Sequence, residues 1–195
     1  MKKVIAPEAT YRILSNGPLL MVVTLGQSGD GLRPEVSTVA WSTPIDTNPP
    51  RLAVIIDSTH RTWYSARERG ECTLNIVGRN LLPQAVYAGT VSSREHDKIS
   101  ETGLLTVEGS VLQTPILPQC LANIECRILA MTEETGFVLL EPLAALADEE
   151  AYYDGWKMEH GFFPLQHLGG DRFQCGSEVL VQPAIKILPP PVNGA

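Results

Sequence analysis

STVAWSTPIDTNPPRLAVII, residues 37–56, alternates hydroxyl and apolar residues, breaks at Pro49 and Pro50, and then runs apolar. The spacing predicts a strand over 35–43, a Pro-rich corner, and a second strand over 51–57. Ser37, Thr38, Trp41, Ser42 and Thr43 lie close together on the first of these. Hydroxyls and a lone indole make a poor oily core, because a buried hydroxyl needs a partner. Such a row suits either the wet face of a half-buried strand or one wall of a polar ligand site.

Outward from this stretch the same grammar repeats. LLMVVTLG (19–26) reads as a buried strand and GQSGDG (26–31) as a Gly-rich hairpin turn. Those glycines do not fit GxGxxG, and no helix follows them. THRTWYSARERG (59–70) has helical composition, with Thr59 available as N-cap and Gly70 as a stop. ECTLNIVG (71–78) alternates. Two short helices are expected over 80–89, capped by Asn80, and over 93–103, capped by Ser93. LANIECRILAM (121–131) is a clear strand, and FVLLEPLAAL (137–146) should pair with it through the MTEETG turn. The tail over 183–195 ends in a triple proline and reads as an extended arm. Short strands joined by turn-length links, with helices inserted between them, predict an antiparallel barrel rather than a βαβ sheet. Nothing in the pattern marks a linker, so one domain over 1–195 is expected.

Composition narrows the function. The formal net charge is −7 and the 15 Lys and Arg residues are scattered, which argues against a nucleic-acid partner. No apolar run reaches the ~18 residues that cross a bilayer. The start, MKKVIAPEATYR, has no apolar stretch for a secretion signal, so a cytoplasmic protein is expected. Cys72, Cys120, Cys126 and Cys175 form no CxxC and read as reduced, buried thiols. His60, His96, His160 and His167 show no metal-ligand spacing, so no metal is expected.

Three polar segments recur near strand ends: 37–42, 58–62 and 92–98. The last two lead into predicted helix N-termini, where unpaired N–H groups and the positive end of the dipole suit a phosphate. Arg61 and Arg94 add charge there, and Trp41 supplies a flat apolar edge. Together they suit a ligand with a phosphate at one end and a planar ring at the other.

The order of these segments resembles the flavin reductase-like family with the FMN-binding split barrel, flavoredoxin type. STVAW followed by DTNPPRLAVII, THRTWYSARERGECTLNIV with its Asn75, and AGTVSSREHDKISETGL carry the likeness, and NIECRI and HLGGDRF also fit. The resemblance implies a mainly β, antiparallel split β-barrel of Greek-key type with a few short helices. It implies FMN at the interface of a homodimer. Ser37, Thr38, Val39, Ala40, Trp41 and Ser42 match the strand lining the flavin ring. Ser58, Thr59, Arg61 and Thr62 match the phosphate and ribityl segment, and Ser92, Ser93 and Arg94 a second loop near the phosphate. Two positions depart from the family's pattern: Glu35, where relatives often carry Asn, and Ala40, where some carry Ser. A carboxylate beside a phosphate is unfavourable, so Glu35 should point away or weaken binding.

The function expected is an NAD(P)H-dependent flavin reductase, taking hydride from NADH or NADPH to flavin and passing electrons to free flavin or an acceptor protein. The alternatives are a non-enzymatic FMN electron carrier and a split-barrel binding module that has lost the cofactor. No side-chain base is required. His167, beside Gly169 and Gly170, is the one catalytic candidate. The aromatic segment over 152–163 is a candidate lid, or else a satellite hydrophobic cluster under a loop.

Overall fold

The computed structural model describes residues 1–29, 31–157, 162–176, 178–181 and 183. Eight strands form one antiparallel sheet: β1 (Lys2–Ile5), β2 (Leu20–Ser28), β3 (Gly31–Val39), β4 (Ser42–Thr47), β5 (Pro50–Ile55), β6 (Glu71–Ile76), β7 (Ala122–Thr132) and β8 (Phe137–Asp148). Its order is β3-β2-β6-β7-β8-β5-β4, with β1 pairing β8. A three-stranded sheet is built from β9 (Leu165–Gly169), β10 (Arg172–Cys175) and β11 (Glu178–Val181). The helices are α1 (Tyr11–Leu14), α2 (Arg61–Arg69), α3 (Leu82–Thr90) and α4 (Lys98–Thr102).

The opening stretch explains why this sheet is a barrel. β3 and β4 stand at opposite ends of the strand order, yet only Ala40 and Trp41 separate them in the chain. Laid flat, seven strands at about 4.8 Å spacing would put those ends roughly 29 Å apart. A two-residue link reaches about 11 Å at most. The sheet must therefore curl until its ends nearly meet. β3 and β4 do not pair, so the barrel stays split at Ala40–Trp41. The expected strand over 35–43 is accordingly two strands. The predicted corner at Pro49 and Pro50 is the hairpin between β4 and β5, and the Asn48–Pro49 peptide is cis.

Side chains from β2, β5, β6, β7 and β8 converge on one cluster: Leu20, Val22, Leu52, Val54, Leu74, Ile76, Ile124, Val138 and Leu140, with Trp63 of α2 among them. Alternate residues of β2, Met21 and Val23, face a second cluster with Val36, Ala85, Ala88 and Leu117. β2 is thus buried on both faces, which is why its sequence is continuously apolar.

Polar residues on β6 and β7 anchor the segment 104–120. Asn75 Oδ1 accepts from the Leu117 N–H (2.9 Å) and from Asn123 Nδ2 (2.8 Å), while Asn75 Nδ2 donates to the Met21 carbonyl (3.0 Å). Glu125 accepts from the N–H groups of Ser110, Val111 and Leu112. All four cysteines are buried, and burial pushes the Cys72 and Cys120 thiols up to about 12.

Several helix boundaries differ from expectation. Thr59 does not cap α2. Its N–H and hydroxyl instead donate to Asp57, and the N-cap residue is His60. α3 begins after a 3-10 turn at Arg79–Leu81 without a side-chain cap, and runs through Gly89 to Thr90. The helix expected over 93–103 is only α4, capped by Asp97, whose carboxylate accepts the Ser100 N–H at 3.2 Å; Gly103 closes it as predicted. In the aromatic segment Tyr153 is exposed, whereas its neighbours pack inward. Tyr152 is buried, meets Trp156 edge-on at 5.2 Å and joins the barrel core with Trp156 and Phe162. His160 and the tail beyond Pro183 lie outside the described residues.

Candidate functional site

The split of the barrel opens a recess of about 380 Å³ lined by Thr38, Val39, Ala40, Trp41, Ile55–Ser58, His60 and the 133–136 turn. Trp41 is 71% exposed, its indole standing at the mouth. The Ile55 N–H donates to the Trp41 carbonyl at 3.0 Å, which fixes this link against β5. Ser42 lies on the outer side, in a shallow groove shared with Ala40, Trp41 and Phe137.

His60 borders a second recess of about 270 Å³, lined by Ser37, Thr59, Arg61, Thr62, Gly89, Thr90, Ser92, Ser93, Arg94 and Lys98. The structure therefore brings two of the predicted segments, 58–62 and 92–98, to one cavity, and places the third, 37–42, across the pair. The second recess sits at the N-terminus of α2, where no side chain caps the helix. Ser93 is 5% exposed and its hydroxyl has no hydrogen-bond partner among the described residues. An uncapped helix N-terminus and a buried orphan hydroxyl are features a phosphate would satisfy.

Not every predicted group faces the ligand. The Thr62 hydroxyl is buried and paired with Ser37 Oγ at 2.7 Å. Thr38 donates to the Ala85 carbonyl at 2.6 Å, locking α3 against β3. The Arg61 guanidinium bonds the buried Glu35 and the Gln27 carbonyl. Ser92 Oγ accepts the Arg94 N–H, and the Arg94 guanidinium stacks over Tyr64 at 5.9 Å. Glu35 is not among the residues that line this recess.

Lys98 is the group the sequence reading left out of the site. It is 5% exposed and donates to the carbonyls of Val36 (3.0 Å) and Ala88 (2.7 Å). Burial lowers its pKa to about 8, with Glu35 opposing that shift. Its signal was the Asp-Lys pair over 97–98, where Asp97 starts α4 and so aims the next side chain inward.

A third groove of about 520 Å³ lies beyond Thr38 and Ala40, with Leu19, Ala85, Val86 and Phe173 among its walls. His167 lines it, hydrogen-bonded to the Gly170 carbonyl at 3.0 Å and tilted against Phe173. No cluster of side chains able to hold a metal occurs among the described residues.

An open split barrel thus carries two neighbouring recesses that share His60 as a wall. The flavin reductase like domain family model matches residues 15–158, and the chain belongs to that family. A curated relative, the uncharacterized protein YddH of Escherichia coli K12, is 30% identical over 168 residues, covering 83% of this chain and 88% of its own. Among solved structures, an FMN-binding domain of a flavin reductases-like enzyme from Shewanella baltica superposes with a TM-score of 0.84 at 20% identity, covering 91% of this chain and 95% of that one. Flavoredoxin of Desulfovibrio vulgaris gives 0.69 at 24% identity, with 91% of each chain covered. The split-barrel fold is thereby shared with both.

Proposed function

We propose that this chain is an FMN-binding oxidoreductase, an NAD(P)H-dependent flavin reductase working as a homodimer. The observation that carries the reading is that two recesses share His60 as a wall: one lined by 38–41 and 55–58, the other by the start of α2, Ser93 and Lys98. FMN matches this pair, with its ring in the first and its single phosphate in the second. Bound flavin would supply the hydride-accepting ring.

The chain's own residues then have separable tasks. The backbone of 38–41 and the Trp41 indole would position the ring. Ser93, Lys98 and the first turn of α2 would bind the phosphate. Val39, Ala40, Ile55 and Ile56 would keep water from one ring face. The apolar groove beside Thr38 and Ala40 is where a nicotinamide could reach the flavin, with His167 at its rim. This reading needs no side-chain proton donor.

The second reading is an electron carrier without nicotinamide chemistry, supported by the superposition on flavoredoxin. One experiment separates the two. The purified protein is assayed for visible flavin absorbance, the chromophore is released and identified by chromatography, and the loaded protein is mixed anaerobically with NADH or NADPH. FMN that bleaches rapidly supports the reductase. FMN that bleaches with dithionite but with neither nucleotide supports the carrier. Absence of any bound or bindable flavin removes both and leaves a binding module.

A further inference from the structure

Arg61 lines the phosphate recess, but its charge is already answered from behind. Glu35, whose side chain is wholly buried, accepts from Arg61 Nε through one carboxylate oxygen and from Ser65 Oγ at 2.7 Å through the other. Arg61 Nη2 donates to the Gln27 carbonyl. The carboxylate lies against the bare backbone of Gly26, in space that a side chain there would take. Glu35 also borders a tight crevice with Ser93, His96, Asp97 and Lys98, directly behind the recess.

We propose that Glu35 cancels Arg61 electrostatically, so that Arg61 serves to mask a buried carboxylate from the ligand's phosphate rather than to anchor that phosphate. The inference rests on the flavin-phosphate reading given above. The cations that line the recess are Arg61, Arg94 and Lys98. Arg94 is exposed and screened. With Arg61 and Glu35 forming a neutral unit, the working charge of the recess is that of Lys98.

A buried ion pair removed as a unit leaves the field nearly unchanged, whereas removing one partner leaves a bare buried charge. The test compares FMN and riboflavin affinities of the wild type, Arg61→Gln and the double variant Glu35→Gln/Arg61→Gln, by flavin fluorescence at near-neutral pH. Arg61→Gln should weaken FMN by about tenfold or more, through repulsion between the uncovered carboxylate and the phosphate, and leave riboflavin within about twofold. The double variant should return to within about threefold of the wild type for FMN. A double variant as weak as Arg61→Gln would overturn the proposal, because Arg61 would then be a phosphate ligand in its own right. Parallel loss of riboflavin and FMN in Arg61→Gln would overturn it too, by assigning the pair a structural role. Should Arg61→Gln fail to fold, the double variant against the wild type still decides. If the wild type takes up no flavin at all, the flavin reading itself has failed, which is a distinct result.

Discussion

At the scale of single residues, the sequence picked out segments that the fold brings together, but not the partners of each side chain. Ser93 was read as the cap of a helix, yet α4 starts only at Lys98 and the Ser93 hydroxyl is left buried beside the second recess. Thr62 was legible as a position but not as a function: its hydroxyl is consumed by Ser37 on a neighbouring strand, a pairing no local pattern reveals. Nothing in the local pattern marks Lys98 as buried; the packing of α4 against β3 buries it. Its burial yields a test by pH. In the folded chain the ammonium loses its proton at about 8, against 10.5 for an unperturbed lysine. FMN affinity should therefore be level up to about pH 7 and fall as pH rises through 8, whereas riboflavin affinity stays level. The phosphate is already dianionic above its second pKa of about 6, so the change is not its own. Lys98→Met should abolish the dependence, and a Lys98→Met protein that keeps it would remove Lys98 from the site. The folding linkage has the opposite slope. Between about 8 and 10.5 the unfolded chain holds a proton the folded chain has released, so stability rises with pH there.

At the scale of elements, strands were more legible than caps. A period of two marked β6 and β7, and continuous apolar runs marked β2 and β8, so these strands could be read directly. The helix boundaries depend on which side chain wins a single N–H: Asp97 took the place expected of Ser93, while Thr59 was drawn to Asp57 and α2 was left without a side-chain cap. The alternation of β6 and β7 does not say what covers their polar residues: Asn75 and Asn123 are buried, hydrogen-bonded to Leu117 of the 104–120 segment. Asn75→Ala should leave the Leu117 N–H and the Asn123 amide unpaired, and cost about 2–4 kcal/mol in chemical denaturation. A loss below about 0.5 kcal/mol would mean that water replaces Asn75. The turn between β7 and β8 gives a sharper case. Gly136 has φ +67°, its carbonyl accepts the Ile56 N–H at 2.8 Å, and a Cβ there would sit 2.4 Å from the Ile56 carbonyl oxygen. Gly136→Ala should cost about 2–4 kcal/mol from strain and overpacking together. It should also weaken FMN and riboflavin alike, because Ile56 and Gly136 both line the ring recess. Thermal melting and flavin titration of one variant check both effects.

At the scale of the whole molecule, the barrel's curl was encoded in the two residues between β3 and β4, but its consequence for assembly lies on the surface. Trp41, Ile45, Tyr64 and Leu32 are all exposed. Trp41 stands at the mouth of the ring recess, which is open on that side. An exposed indole is more costly to leave in water than to cover, and a second copy of the chain would cover it while closing the recess. The homodimer proposed above then makes ring binding and assembly one process. Sedimentation should give a mass about twice the 21.3 kDa of the chain. Trp41→Glu should shift the protein toward monomer and weaken riboflavin as strongly as FMN, because the lost contact is with the ring and not the phosphate. That pattern is opposite to the one expected for Lys98→Met, so the two variants together separate closure of the ring site from anchoring of the phosphate. A monomeric wild type that still holds FMN tightly would show that the recess is complete within one chain, and that the exposed indole serves something other than a second copy.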